Sequence, residues 1–247
     1  MFAALGLAAP APSRAAPEEI QVYMDDMTRP GRFGTDFHNN FVLRDAATPG
    51  WTGARDPDHV YRFTPEFYYG LTPQLELGVY VLTALDAGGH GVLDGSKLRI
   101  KYIPPHDEKS GAFWGANLET GRTRRDVSED PWNTELKGIL GWRRGPWTLA
   151  ANANLDTSLN HAQLGAATVE IDTKVSRQIR PHAAFGFESY NEIGPLRTFG
   201  PLSDGAQTLY AVFDGDAGGV DLNAGIGRGL TPAADQWTLK FIVGVHY

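Results

Sequence analysis

The sequence predicts an all-β fold, a transmembrane antiparallel up-and-down β-barrel of about 12 strands. Three observations carry that expectation. Period-two segments follow one another from Arg32 to the last residue without a helical interval. The links between them alternate long and short, and the aromatic residues of one face gather at the short-link ends of the strands.

The closing stretch, WTLKFIVGVHY, is the clearest element. Trp237, Leu239, Phe241, Val243, Val245 and Tyr247 alternate with Thr238, Lys240, Ile242, Gly244 and His246. A soluble sheet has little reason to end on an uncovered face of Phe, Val and Tyr, although an edge strand of a sandwich fits this stretch alone. A barrel's last strand must turn one face to lipid and bond back to the first, because unpaired backbone groups in hydrocarbon are costly.

The other strands follow the same rule. Residues 33–43 set Phe33, Phe37, Phe41 and Leu43 against Asp36, His38, Asn40 and Val42. Residues 59–69 set Tyr61, Phe63, Phe67 and Tyr69 against Arg62, Thr64, Glu66 and Tyr68, with Pro65 suggesting a bulge. Segments 74–82, 96–103, 112–120, 134–142, 147–155 and 168–176 come next. The remaining three centre on Phe185 and Phe187, on Leu209 and Phe213, and on Leu222, Ala224 and Ile226. Links after strands one, three, five, seven and nine read as a dozen residues or more, and those after two, six, eight and ten as tight turns. The PPHDEKSG and GLTPAADQ links fit this alternation least well.

On the lipid-facing parity, Phe33, Tyr69, Tyr102, Trp114, Trp142, Trp147, Phe213 and Tyr247 fall at the short-turn ends. Amphipathic rings favour a membrane interface, so these eight read as an interfacial girdle, whereas rings filling a sandwich core would scatter along the strands. Outer-membrane lipids are the implied surroundings. The barrel-assembly machinery is the implied partner of the C-terminal strand.

Composition narrows the alternatives. No run approaches the roughly 20 apolar residues of a membrane helix. A net charge of −7 argues against nucleic acid as a partner. Without cysteine there are no disulfides and no thiolate metal sites. Residues 1–16 read as the end of a secretory signal that lacks its basic start. Residues 17–31 form a periplasmic or plug segment. Pro17, two acids and the spacing of Ile20, Tyr23, Met24 and Met27 favour a helix, and an extended reading with Ile20, Val22 and Met24 on one face is nearly as good. Residues 32–247 form the barrel.

Several stretches are specific: EIQVYMDD, HNN, PEFYYGLTPQLELGVY, LDGSKLR, FWGANLE, WNTELKGILGW with GPW, ESYNEIGPLR and DLNAGIGRGLT. Through them the chain resembles a widespread family of uncharacterised proteobacterial outer-membrane β-barrel proteins, over almost everything after Glu19. That resemblance implies a fold and a compartment, and it transfers no functional residues.

The opposite parity is crowded with charge of both signs. Asp36, Arg62, Glu66, Glu76, Lys97, Arg99, Lys101 and Glu119 belong to it, with His38 and Asn40 between them. Glu135, Lys137, Glu170, Asp172, Lys174, Glu188 and Lys240 complete the set. Such groups either line a narrow wet channel for small hydrophilic solutes or pair off and close it. Lys97, Arg99 and Lys101 on one strand would favour anions, unless acids on strands three and five neutralise them.

Signs of enzymatic chemistry are thin. Asp36, His38 and Asn40 suit a structural histidine better than a catalytic or metal site. Ser189, Asn191 and His161 are the only triad candidates for a lipid-modifying enzyme, and they fit no hydrolase motif. His106, Asp107 and Glu108 fit an exposed polar turn better than a cation site. The sequence therefore assigns no catalytic residue, metal or cofactor. A closed structural barrel with partner-binding loops is the third reading.

Overall fold

The computed structural model describes residues 19–45, 51–159 and 167–247. Among these it contains twelve strands: β1 (Phe33–Arg44), β2 (Tyr61–Thr72), β3 (Leu75–Leu85), β4 (Gly91–Tyr102), β5 (Gly111–Thr123), β6 (Trp132–Arg144), β7 (Trp147–Ser158), β8 (Thr168–Arg180), β9 (Ala183–Pro195), β10 (Gln207–Asp216), β11 (Val220–Gly229) and β12 (Trp237–His246). Each pairs antiparallel with its chain neighbours, and β1 pairs with β12 to close the cylinder. Closure leaves no free sheet edge, the condition for spanning hydrocarbon with strands. The signal-like residues 1–16 and His161 lie outside the described residues.

Parity decides the two surfaces. On β12, Trp237, Leu239 and Phe241 are exposed on the outer wall, while Thr238, Lys240 and Ile242 are buried within. The same holds around the ring, where Leu98, Leu118, Leu136, Leu140, Val175 and Phe187 stand exposed. A continuous apolar surface of this kind is unsuited to water and suited to acyl chains.

Three inward rings are accommodated by glycine on the neighbouring strand. Tyr68, Phe113 and Tyr210 lie directly across from Gly34, Gly141 and Gly227. A Cβ at Gly141 would fall 1.9 Å from the Phe113 ring, and one at Gly227 would fall 2.3 Å from Tyr210. Each glycine lets an aromatic side chain lie flat along the wall instead of projecting across the lumen.

Three expectations are corrected. Pro65 pairs with Phe37 in continuous register and makes no bulge. Of the links expected to run a dozen residues or more only that after β1 does, those after β5, β7 and β9 spanning 124–131, 159–167 and 196–206. The β3–β4 link is only residues 86–90, where Asp86 accepts hydrogen bonds from the Gly88 and His90 amides at 2.9 Å. Both strands run further out than their hydrophobic alternation indicates. Asp94-Gly95 looks like a turn in sequence but sits inside β4, next to a register shift at Leu82/Thr83. The N-terminal segment is not helical: residues 19–29 carry no helix. Its backbone polar groups bond to side chains of the barrel wall rather than to a helical turn of their own.

Candidate functional site

The candidate site is the lumen, built by the inward parity of all twelve strands. His38, Asn40, Arg62, Glu66, Glu76, Arg99, Lys101, Glu119, Lys137, Asp172, Lys174, Glu188 and Lys240 are buried there. Asp36, Lys97, Glu135 and Glu170 are partly buried on the same side. Charge at this density persists only when paired, and the pairs are present. Arg99 bridges Glu66 at 2.7 Å and Glu76 at 2.6 Å. Lys174 reaches Glu188 at 3.1 Å and Asp214 at 2.8 Å, and Lys240 also contacts Glu188. Lys137 meets Glu135 at 3.1 Å. The basic stripe of β4 is thus largely engaged: Arg99 by acids from β2 and β3, and Lys101 by the Asp26 carbonyl at 2.7 Å.

Residues 19–31 run inside this lumen. Gly31 donates to the Gly70 carbonyl at 2.8 Å where the segment meets the short-turn rim. Further in, the Thr28 amide donates to Glu76 at 2.8 Å. Tyr23 is held most completely. Its amide donates to Asn152 Oδ1 at 2.7 Å, and its carbonyl accepts from Asn152 Nδ2 at 3.0 Å, so one side chain satisfies the whole peptide unit as a strand would. Its hydroxyl pairs with Tyr80 and donates to Glu119 at 3.2 Å. Lys137 Nζ stands 4.2 Å from the centre of its ring, a cation–π geometry. At the innermost described turn, Lys240 Nζ donates to the Ile20 carbonyl at 3.1 Å.

Apolar contact adds to these bonds. Val22 and Tyr23 bury against Phe113, Ile139, Ala150 and Ile103, with Met24 and Met27 alongside. On β5 and β6 the inward parity is otherwise polar or glycine, and the apolar Phe113 and Ile139 that interrupt it are a sequence sign of a docking patch inside the barrel.

Near the short-turn rim, Asp25 takes a bidentate grip from Arg143 and a 2.6 Å bond from His106 Nε2. Burial works against the Asp25 carboxylate, but the Arg143 and His106 hydrogen bonds hold its pKa below the ordinary range. The His106 pKa is raised, first by its bond to the Pro104 carbonyl and then by Asp25. The turn that holds His106 therefore fastens the segment. Asp107 instead caps its own turn through the Lys109 amide and the Ser110 hydroxyl.

At the opposite rim residues 51–60, leading into β2, fold inward. Arg55 binds Asp94 of β4 at 2.9 Å and Asp126 of the β5–β6 link at 2.9 Å, and Trp51 Nε1 donates to the Arg125 carbonyl at 3.2 Å. Burial opposes the Arg55 charge, yet the hydrogen bonds it donates to Asp94 and Asp126 raise its pKa.

The remaining sequence candidates are separated. His38 pairs with Glu66 on β2 at 3.3 Å rather than with Asp36. Ser189 and Asn191 bond to each other on the outward parity of β9, and Asn191 also holds the Ile171 carbonyl at 3.0 Å. Phe33, Tyr102, Trp114, Trp142, Trp147, Phe213 and Tyr247 are exposed on the outer wall, and Tyr69 packs tilted against Phe33 with ring centres 4.7 Å apart.

Between the segment and the barrel wall a cavity of about 1280 Å³ opens at the short-turn end, lined in part by Asp36, Tyr68, Lys174, Asp214, Asn223 and His246. The fold is that of outer-membrane porins. An outer membrane channel from Pseudomonas putida F1 matches with a TM-score of 0.62 at 11% identity, over 93% of this chain and 100% of that one. The KdgM porin matches at 0.59 and 7% identity, over 87% and 99%. The NanC porin matches at 0.53 and 10% identity, over 85% and 97%. No protein-family model matches the sequence, and no curated relative does.

Proposed function

We propose that this chain is an outer-membrane pore that passes small hydrophilic solutes passively, with a bore set by its own N-terminal segment. The carrying observation is the inversion of polarity: exposed aliphatic side chains outside, and inside a lumen whose charged groups pair with one another beside a cavity of about 1280 Å³. Paired charges leave a hydrated wall without a strong net field, which suits a weakly selective path. The likeness to porins in fold supports the compartment. The C-terminal strand, apolar outside and paired to β1, fits recognition by the barrel-assembly machinery.

The lipid-modifying reading has no geometric support among the described residues. Ser189 faces outward and bonds Asn191. Liposome swelling tests the pore. Vesicles containing the purified protein should swell in small sugars and amino acids and resist larger oligosaccharides, and absence of swelling with every solute would refute permeation.

A further inference from the structure

Where the N-terminal segment reaches deepest, Glu19 meets His38 of β1 and Glu66 of β2. One donor atom from each lies within 4.8 Å of the other two. His38 and Glu66 are 1% and 2% exposed, respectively. Glu19 Oε1, which faces this pair, is shielded from solvent and has no hydrogen-bond partner. Buried polar atoms are rarely left so, and where they are an unplaced ion is one of the standard explanations.

The spacing agrees with that explanation. His38 Nε2 and Glu66 Oε2 are 3.3 Å apart, longer than the roughly 2.7–2.9 Å of a charge-assisted hydrogen bond. It equals the edge of a tetrahedron, about 3.3 Å, built on metal–ligand bonds of about 2.0 Å. Arg99 takes the other oxygen, Oε1, at 2.7 Å. It thereby fixes the carboxylate with Oε2 turned to the imidazole, as outer-shell partners of metal ligands do.

We propose that Glu19, His38 and Glu66 bind one divalent cation of the zinc class, and that the cation ties the N-terminal segment to the barrel wall. Two carboxylates and a neutral imidazole balance a double positive charge. They also suit zinc better than magnesium or calcium, which take six or more oxygens. A fourth position stays open to water. Two ligands come from the wall and one from the segment, so binding favours the state with the segment in place. The gating half of this proposal rests on the pore reading above; the binding half does not.

The test uses untagged full-length protein in detergent, stripped with chelator and titrated with zinc by calorimetry and by competition with a chromogenic chelator. One equivalent should bind, with affinity at least tenfold weaker in Glu19→Gln and in His38→Ala. Glu19→Gln leaves every strand untouched, so its result is not confounded by folding. No saturable zinc binding, or affinity unchanged in both variants, would overturn the site. In planar bilayers, zinc should lower the conductance of the parent and leave Glu19→Gln unaffected. Binding without a change in conductance would overturn the gating role while leaving the cation site standing.

Discussion

Asn152→Ala tests how the N-terminal segment is held. Asn152 supplies both hydrogen bonds of the Tyr23 peptide, at 2.7 and 3.0 Å, in a setting where Tyr23 is 2% exposed. Removing the amide leaves a buried N–H and a buried C=O without partners. Each such group costs about 1–3 kcal/mol, so the seated state should lose roughly 2–6 kcal/mol. Water can enter a polar lumen, which places the effect toward the lower end. About 2 kcal/mol is roughly a thirtyfold change in the ratio of seated to released segment. Single-channel recording should show longer and more frequent high-conductance dwells in Asn152→Ala, with unitary current unchanged while the segment is seated. Asn154→Ala is the control, because Asn154 donates to Asp172 at 2.7 Å and not to the segment. Identical dwell times in parent and Asn152→Ala, with both barrels folded by gel mobility, would refute this holding mechanism.

Further expectations concern charge, pH, packing and the outer wall. Arg99→Met strands Glu66 and Glu76 without their shared partner and should destabilise the barrel by about 3–5 kcal/mol, read as a lower urea midpoint in detergent. The Asp25–His106 tie is strongest above the ordinary carboxylate pKa of about 3.9 and below the ordinary imidazole pKa of about 6.5. Because the His106 pKa is raised, its contribution fades as pH rises through that value; because the Asp25 pKa is lowered, the rest is lost only as pH falls through it. Open probability should therefore climb on the alkaline side in the parent and not in His106→Phe. Gly141→Ala drives a methyl group into the Phe113 ring, and slower folding with a lowered urea midpoint is expected. Leu136→Arg places a charge on the mid-height outer wall and should lower stability in lipid by about 2–4 kcal/mol, measured by refolding into vesicles.

The cylinder was legible in the sequence because a barrel strand states its two surfaces residue by residue. Lys240 between Leu239 and Phe241 already says which side is wet. The shortness of the link after β3 is not legible, because strands that project past the apolar belt lose their alternation and Asp94-Gly95 mimics a turn. The ion pairs were legible as composition but not as partners: Arg99 could be placed in the lumen, but register alone sets it across from Gly78 and Glu119, whereas its ion pairs run to Glu66 and Glu76. The N-terminal segment was least legible. Its fit depends on side chains from β3, β5, β6, β7 and β12 converging in space, and its own spacing of Ile20, Tyr23, Met24 and Met27 pointed to a helix that the lumen has no need of.

The most direct measurement of the whole account is ion current across a planar bilayer for the full chain and for a variant lacking residues 19–29. A hydrated lumen narrowed by its own segment predicts a small unitary conductance for the full chain and a severalfold larger one after deletion, from barrels that are equally heat-resistant on gels. Folded barrels of both forms that pass no current at any voltage would contradict it.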